Sequence, residues 1–419
     1  MSLPPPHRPL GIRALNGLGR ALGAIQLDWP SLDPDDLLAT AVRRAGSDDF
    51  GGDEFRSGMS VLLTALEEEA DLTTLGRLSC RETLVGYLEN RLRLQQYRRA
   101  HREVERAEIR RPVFIVGLPR TGTTILFNLI AQDLRNRPPL SWEVQWPVPP
   151  PEPETYDRDP RIADAVKLFA NLDRLLPTLP SIHEFGATLP QECVPIRAHE
   201  FLSVQFQTTF NVPSYQAWLE RQDLRPAYTF HKRFLQHLQS RYMKDRWVLK
   251  SPAHLGAIDE ILATYPDANI IHTHRDPAKV MPSLASLMYT LRSMNSDALD
   301  PARIGRQVLD MWTLSLERAT DARRRHRDKP KQFFDAYFED TLSDPVDLMR
   351  RAYEHFELPW TPATRDRMAA FLANNPRGSR GVHKYVREDF ALDLDEIRHR
   401  FSEYCREFDV PLSTSAAAQ

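Results

Sequence analysis

Apolar positions along the chain follow two periods. Short unbroken runs of β-branched and aromatic residues, Val113–Val116, Trp247–Lys250, Asn269–His274 and Gln332–Phe338, predict strands buried on both faces. Each is followed by apolar residues at helical spacing: Ile125, Leu126, Leu129 and Ile130 after the first, Leu255, Ile258, Ile261 and Leu262 after the second, Val280, Leu284 and Leu287 after the third. A long helix is predicted from Pro301 to Arg327. Helices at Pro345–Phe356, Thr361–Ala373 and Asp395–Phe408 close the chain. Strand–helix alternation of this kind gives a parallel sheet with right-handed crossovers and helices on both faces. In such sheets, ligands sit beyond the carboxyl ends of the strands.

The flanking segments read differently. Residues 1–107 are predicted to be a helical N-terminal extension, with a capped start at Pro34-Asp35-Asp36 and further helices over Ser60–Ala70 and Arg81–Arg106. The arginines and glutamates of that last segment alternate in sign, which describes a solvated helix face rather than a basic binding surface. Residues 108–419 form the core domain, and within it residues 158–246 are a helical insertion rich in aromatics, expected to form a lid or acceptor pocket. The class is therefore α/β: a P-loop-like parallel sheet flanked by helices, with a helical extension and a helical insertion.

Composition removes several function classes. The net charge of −2 gives no global attraction to nucleic acid or anionic membrane. No apolar stretch approaches the length of a membrane-spanning helix, and Met1–Leu10 is proline-rich without the apolar core of a signal peptide. Cys80, Cys193 and Cys405 are far apart and match neither a metal spacing nor a disulfide framework, so reduced thiols in a cytoplasmic protein are expected.

The chemistry concentrates after the first strand. Gly117 and Gly122 bracket the loop Leu118-Pro119-Arg120-Thr121, which leads into a helix at Thr123-Thr124. A loop so placed turns backbone N–H groups toward an anion at the positive end of a helix. Arg120 adds a fixed charge, and the threonine hydroxyls add donors. Where a nucleotide-triphosphate loop carries Gly-Lys-Ser/Thr, this chain has Gly122-Thr123-Thr124, so the lysine that reaches the outer phosphates is missing. Two more segments bring positive charge to the strand ends: Arg275, with Ser283 eight residues later, and Arg377-Gly378-Ser379-Arg380-Gly381.

In this order the three segments resemble the sulfotransferases that use 3′-phosphoadenosine 5′-phosphosulfate (PAPS), and the Leu249-Lys250-Ser251-Pro252-Ala253-His254 stretch is similar to that of the family's large bacterial branch. The resemblance implies that Arg120, Thr121, Gly122, Thr123 and Thr124 hold the 5′-phosphosulfate, and that Arg275, Ser283, Arg377 and Gly378 hold the 3′-phosphate. It carries the family's catalytic lysine and histidine onto Lys250 and His254, with Arg120 beside them. Glu143, His183, Glu184 and Glu192 are the alternative bases. The implied reaction moves a sulfuryl group in line to a hydroxyl on a small molecule, lipid or glycan. No metal is expected in it, because a sulfuryl group carries less charge than a phosphoryl and fixed cations suffice. No nucleic-acid partner and no stable membrane insertion are expected; the N-terminal helices suit a homodimer. Two other readings remain: a P-loop kinase or nucleotide hydrolase, with Asp335 as its magnesium ligand, and a non-catalytic nucleotide-binding member of the fold.

Overall fold

The computed structural model describes residues 8–23, 29–175, 186–242, 244–376 and 386–412. Five parallel strands form the central sheet: β1 (Val113–Gly117), β2 (Asn136–Arg137), β3 (Arg246–Lys250), β4 (Asn269–His274) and β5 (Phe333–Tyr337), in the spatial order β2-β3-β1-β4-β5. Their register places Ile115 beside Lys250, Gly117 beside Thr273 and His274 beside Tyr337. The carboxyl ends of β1, β3 and β4 therefore lie side by side.

Because strand side chains alternate between faces, the sheet carries two cores. Val113, Ile115, Val248, Ile271 and Ala336 pack with Leu126, Phe127, Leu129 and Ile130 of the helix Thr123–Ile130 and with Leu348, Met349 and Tyr353 of the helix Pro345–His355. Phe114, Val116, Trp247, Leu249 and Ile270 face the other way, into a larger cluster that runs from Leu32 to Val410. That cluster includes Leu62, Leu84 and Leu88 of the N-terminal helices Phe55–Glu68 and Thr74–Ala100, and Phe206, Tyr228 and Phe234 of the insertion helices Gln205–Thr209 and Arg225–Gln239. One buried ion pair ties the same two regions together: Arg91 Nη1 donates to Glu200 Oε2 at 2.5 Å, and Arg91 Nε to the Phe50 carbonyl at 2.9 Å. The helices before β1 thus share an apolar core with the sheet and the insertion.

Two details depart from the periodicity. β2 holds only Asn136 and Arg137, both buried, and so has no apolar signature. The last helix is two, Leu394–Arg400 and Ser402–Glu407, interrupted at Phe401.

Candidate active site

The loop after β1 is held in shape by its own threonine. Thr121 is fully buried and its hydroxyl donates to the Leu118 carbonyl at 2.6 Å, while its oxygen lies 2.6 Å from Thr273 Oγ1 on β4. The Thr121 side chain is therefore turned into the loop and tied to β4. Gly117 has φ of 143°, and a Cβ there would fall 2.1 Å from Thr273 Oγ1, so the strand end is closed against any side chain. Gly122, with φ of 90°, opens the helix Thr123–Ile130, whose first turn no side chain caps. Uncapped N–H groups at the positive end of a helix form an anion site.

Arg120, exposed on this loop, adopts φ of 69°. Its carbonyl oxygen accepts a hydrogen bond of 2.6 Å from Nη1 of Arg275, whose guanidinium carbon lies 3.7 Å from the ring centroid of Phe338. The structure thus joins the first two cationic segments directly. Phe338, which the periodicity makes the last residue of the fourth predicted strand, follows β5 and is a platform for that guanidinium, a role with no periodic signal. Asp276 caps the next helix, Pro277–Arg292, by accepting from the Ala278 N–H at 2.9 Å, and buried Ser283 lies on that helix. Arg377, Gly378, His183 and Glu184 lie outside the described residues.

Lys250, the last residue of β3, is almost wholly buried and reaches over the first turn of the loop helix, 3.2 Å from Thr124 Oγ1. It also pairs with Glu192, whose segment is fixed by the hydrogen bond from the Cys193 N–H to the Lys250 carbonyl at 2.9 Å. Lys250 shares a sheet face with Val248 and the loop helix. His254 is on the opposite face. Its ring has no exposed surface, lies 5.1 Å from that of Phe114, and its Nδ1 is 2.7 Å from the Tyr228 hydroxyl. Burial, and then the neighbouring His231 and Arg197, hold it well below the usual imidazole range. The structure brings Lys250, Thr124 and Glu192 together and sets His254 apart from them.

Residues 112–362 match the sequence model of the sulfotransferase family. The chain belongs to that family. Among solved structures, sulfotransferase STF9 from Mycobacterium avium is similar at 30% identity and a TM-score of 0.84, the match covering 92% of this chain and 98% of the other. Sulfotransferase STF1 from Mycobacterium tuberculosis H37Rv is similar at 34% identity and a TM-score of 0.79, over 88% and 98% of the two chains. Among curated proteins, the omega-hydroxy-beta-dihydromenaquinone-9 sulfotransferase Stf3 of Mycobacterium bovis is 27% identical over 280 residues, which are 63% of this chain and 67% of that one.

Other candidates in this sulfotransferase have structural partners. Glu143 is fully buried, receives Arg137 Nη2 at 2.6 Å and the Leu140 N–H at 2.8 Å, and lies 3.2 Å from the Tyr156 hydroxyl. Burial raises its carboxyl while Arg137 opposes the shift. Asp335, the magnesium ligand that a kinase reading needs, sits in the middle of β5, not at its end. It accepts two bonds from Arg323, at 2.6 and 2.9 Å, and one of 2.9 Å from His274 Nε2. Burial alone would push this carboxyl up, but those donors hold it well below the usual carboxylate range. No helix among the described residues is long and apolar enough to cross a membrane.

Proposed function

We propose that this sulfotransferase takes PAPS as donor and transfers its sulfuryl group in line to the hydroxyl of an apolar acceptor, a lipid or a comparably hydrophobic small molecule. The observation that carries the reading is the bond from Arg275 to the Arg120 carbonyl. It links the loop after β1 to the end of β4, so two segments that each carry an arginine meet, as a nucleotide with anionic groups at both ends of its ribose would need. Arg120, Gly122, Thr123 and Thr124 bind the 5′-phosphosulfate with the backbone N–H of Thr121. Arg275 and Ser283, with Arg377 and Gly378, bind the 3′-phosphate.

In the transfer, the acceptor oxygen forms a bond to sulfur as the bond from sulfur to the bridging phosphate oxygen breaks. The hydroxyl proton passes to a base, and adenosine 3′,5′-bisphosphate leaves. Lys250, beside Thr124, supplies a cation where charge develops on the bridging oxygen. Glu192, in contact with Lys250 and partly open to solvent, is the base. His254, enclosed on the other face, is left with a supporting role. Support for a lipid acceptor comes from the menaquinone-type acceptor named for the Stf3 relative.

The test is nucleotide binding by calorimetry. Arg275→Ala is expected to weaken adenosine 3′,5′-bisphosphate by about 10²-fold while changing adenosine 5′-monophosphate little, since a charged hydrogen bond contributes about 1.5–3 kcal/mol. Equal losses for both nucleotides remove the 3′-phosphate assignment. Tight ATP binding that depends on magnesium would instead favour a phosphoryl-transfer site.

A further inference from the structure

Behind β3, on the face away from Lys250, three side chains from distant segments meet. Cys193, His231 and His254 each present a ligand atom within 4.8 Å of the other two, and all three are fully buried. The two histidine rings lie nearly perpendicular, with an interplanar angle of 86°, and are held by the same nitrogen. His231 Nδ1 is 2.7 Å from the Tyr265 hydroxyl and His254 Nδ1 is 2.7 Å from the Tyr228 hydroxyl, while Nε2 of both rings is enclosed without a hydrogen-bond partner. Buried polar atoms are normally paired, and each orphan calls for a reason such as an unseen water or ion.

We infer that Cys193, His231 and His254 form a closed site for a soft d¹⁰ cation, bound by the Cys193 thiolate and the two Nε2 atoms. One imidazole lone pair per ring would replace an unsatisfied contact, and the tyrosine hydroxyls at Nδ1 are the outer partners that fix tautomer and ring angle in metal-bound histidines. Thiolate with imidazole selects Zn²⁺ or Cu⁺ over hard cations. On binding, the Cys193 S–H bond breaks, a sulfur–metal bond forms and the proton leaves to solvent. Cys193 is the neighbour of Glu192, and His254 follows Lys250 by four residues, so the ion would clip together the two segments that carry the reacting pair. Its position on the far face makes the role structural and independent of donor chemistry. The wide sequence separation of the three ligands concealed the set from any reading of spacing.

The experiment uses the full chain, purified with chelator and desalted, then given Zn²⁺, Cu⁺ under reductant, or Co²⁺ as a spectroscopic probe. Expected results are retention of about one ion per chain after desalting, a thiolate-to-cobalt charge-transfer band, and a higher Tm with metal than with chelator. Cys193→Ser and His231→Phe should lose the band and the Tm increment. Should either variant fail to fold, X-ray absorption of the loaded wild type decides by itself, the expected shell being one sulfur at about 2.3 Å and two nitrogens near 2.0–2.1 Å if the ion is zinc. Retention of Zn²⁺ or of Cu⁺ supports the site and identifies its ion. Failure of every ion to survive desalting, or undiminished retention in folded Cys193→Ser, overturns it.

Discussion

At the scale of single residues, the pair Lys250 and Glu192 is where the proposed reading is most exposed to test. The two side chains touch, and Lys250 also reaches Thr124 across the strand ends. A cation aimed at a leaving oxygen acts mainly in the transition state, so its removal should lower turnover more than donor affinity. Lys250→Met is expected to reduce kcat by about 10²–10³-fold, with adenosine 3′,5′-bisphosphate binding changed by less than about tenfold. Glu192→Gln keeps the size of the side chain and a hydrogen bond to Lys250 but cannot accept the proton, so a loss of about 10²–10⁴-fold in kcat is expected. Single-turnover sulfation of a long-chain alcohol would check both. Wild-type turnover in Glu192→Gln would transfer the base role to another group.

At the scale of elements, the loop after β1 has so little spare room that its shape is a test in itself. Gly117→Ala would place a methyl 2.1 Å from Thr273 Oγ1 on backbone that side chains avoid, and the same threonine holds Thr121. We expect destabilisation of about 2 kcal/mol or more, seen as a lower denaturant midpoint, together with loss of nucleotide binding. Gly117→Ala/Thr273→Ala should recover part of the midpoint by opening the space. Unchanged binding in the single variant would mean the loop adapts without cost. This loop was legible in the sequence because its strand, its bracketing glycines and its helix are all local signals. The strands β1, β3, β4 and β5 were legible for the same reason. β2 was not: Asn136 and Arg137 are strand residues only because β3 lies beside them, a tertiary cause with no periodic trace. Nor did the sequence reveal which sheet face each histidine takes. Lys250 ends β3 on one face, and the turn Pro252–Ala257 carries His254 to the other, so four residues of separation concealed a change of side.

At the scale of the whole molecule, the large core shared by the N-terminal helices, the sheet and the insertion encloses many imidazoles. Burial holds His199 to about 4, His231 to about 3 and His237 to about 4, and lowers His254 and His272 as well. In the unfolded chain these rings titrate near 6.5. As the pH falls below that value the unfolded state takes up protons that the folded state refuses. Stability is therefore intact above about pH 6.5 and declines toward about pH 4, by about 1.4 kcal/mol per pH unit for each ring. The three rings with given values together lose about 4 kcal/mol per unit, a large share of the 5–15 kcal/mol that holds a typical domain folded. Asp335 adds its own loss only at more acid pH, below about 4, where the unfolded carboxylate takes up a proton that Arg323 and His274 keep off the folded one. Urea unfolding at about pH 7.5, 6.5 and 5.5, with chelator present so that His231 carries no metal, should show a modest drop in midpoint across the first interval and one about three times larger across the second. A flat profile down to about pH 5 would mean that these rings are already charged or hydrated in the fold, and that the apolar continuity joining the N-terminal helices to the sheet is broken by water.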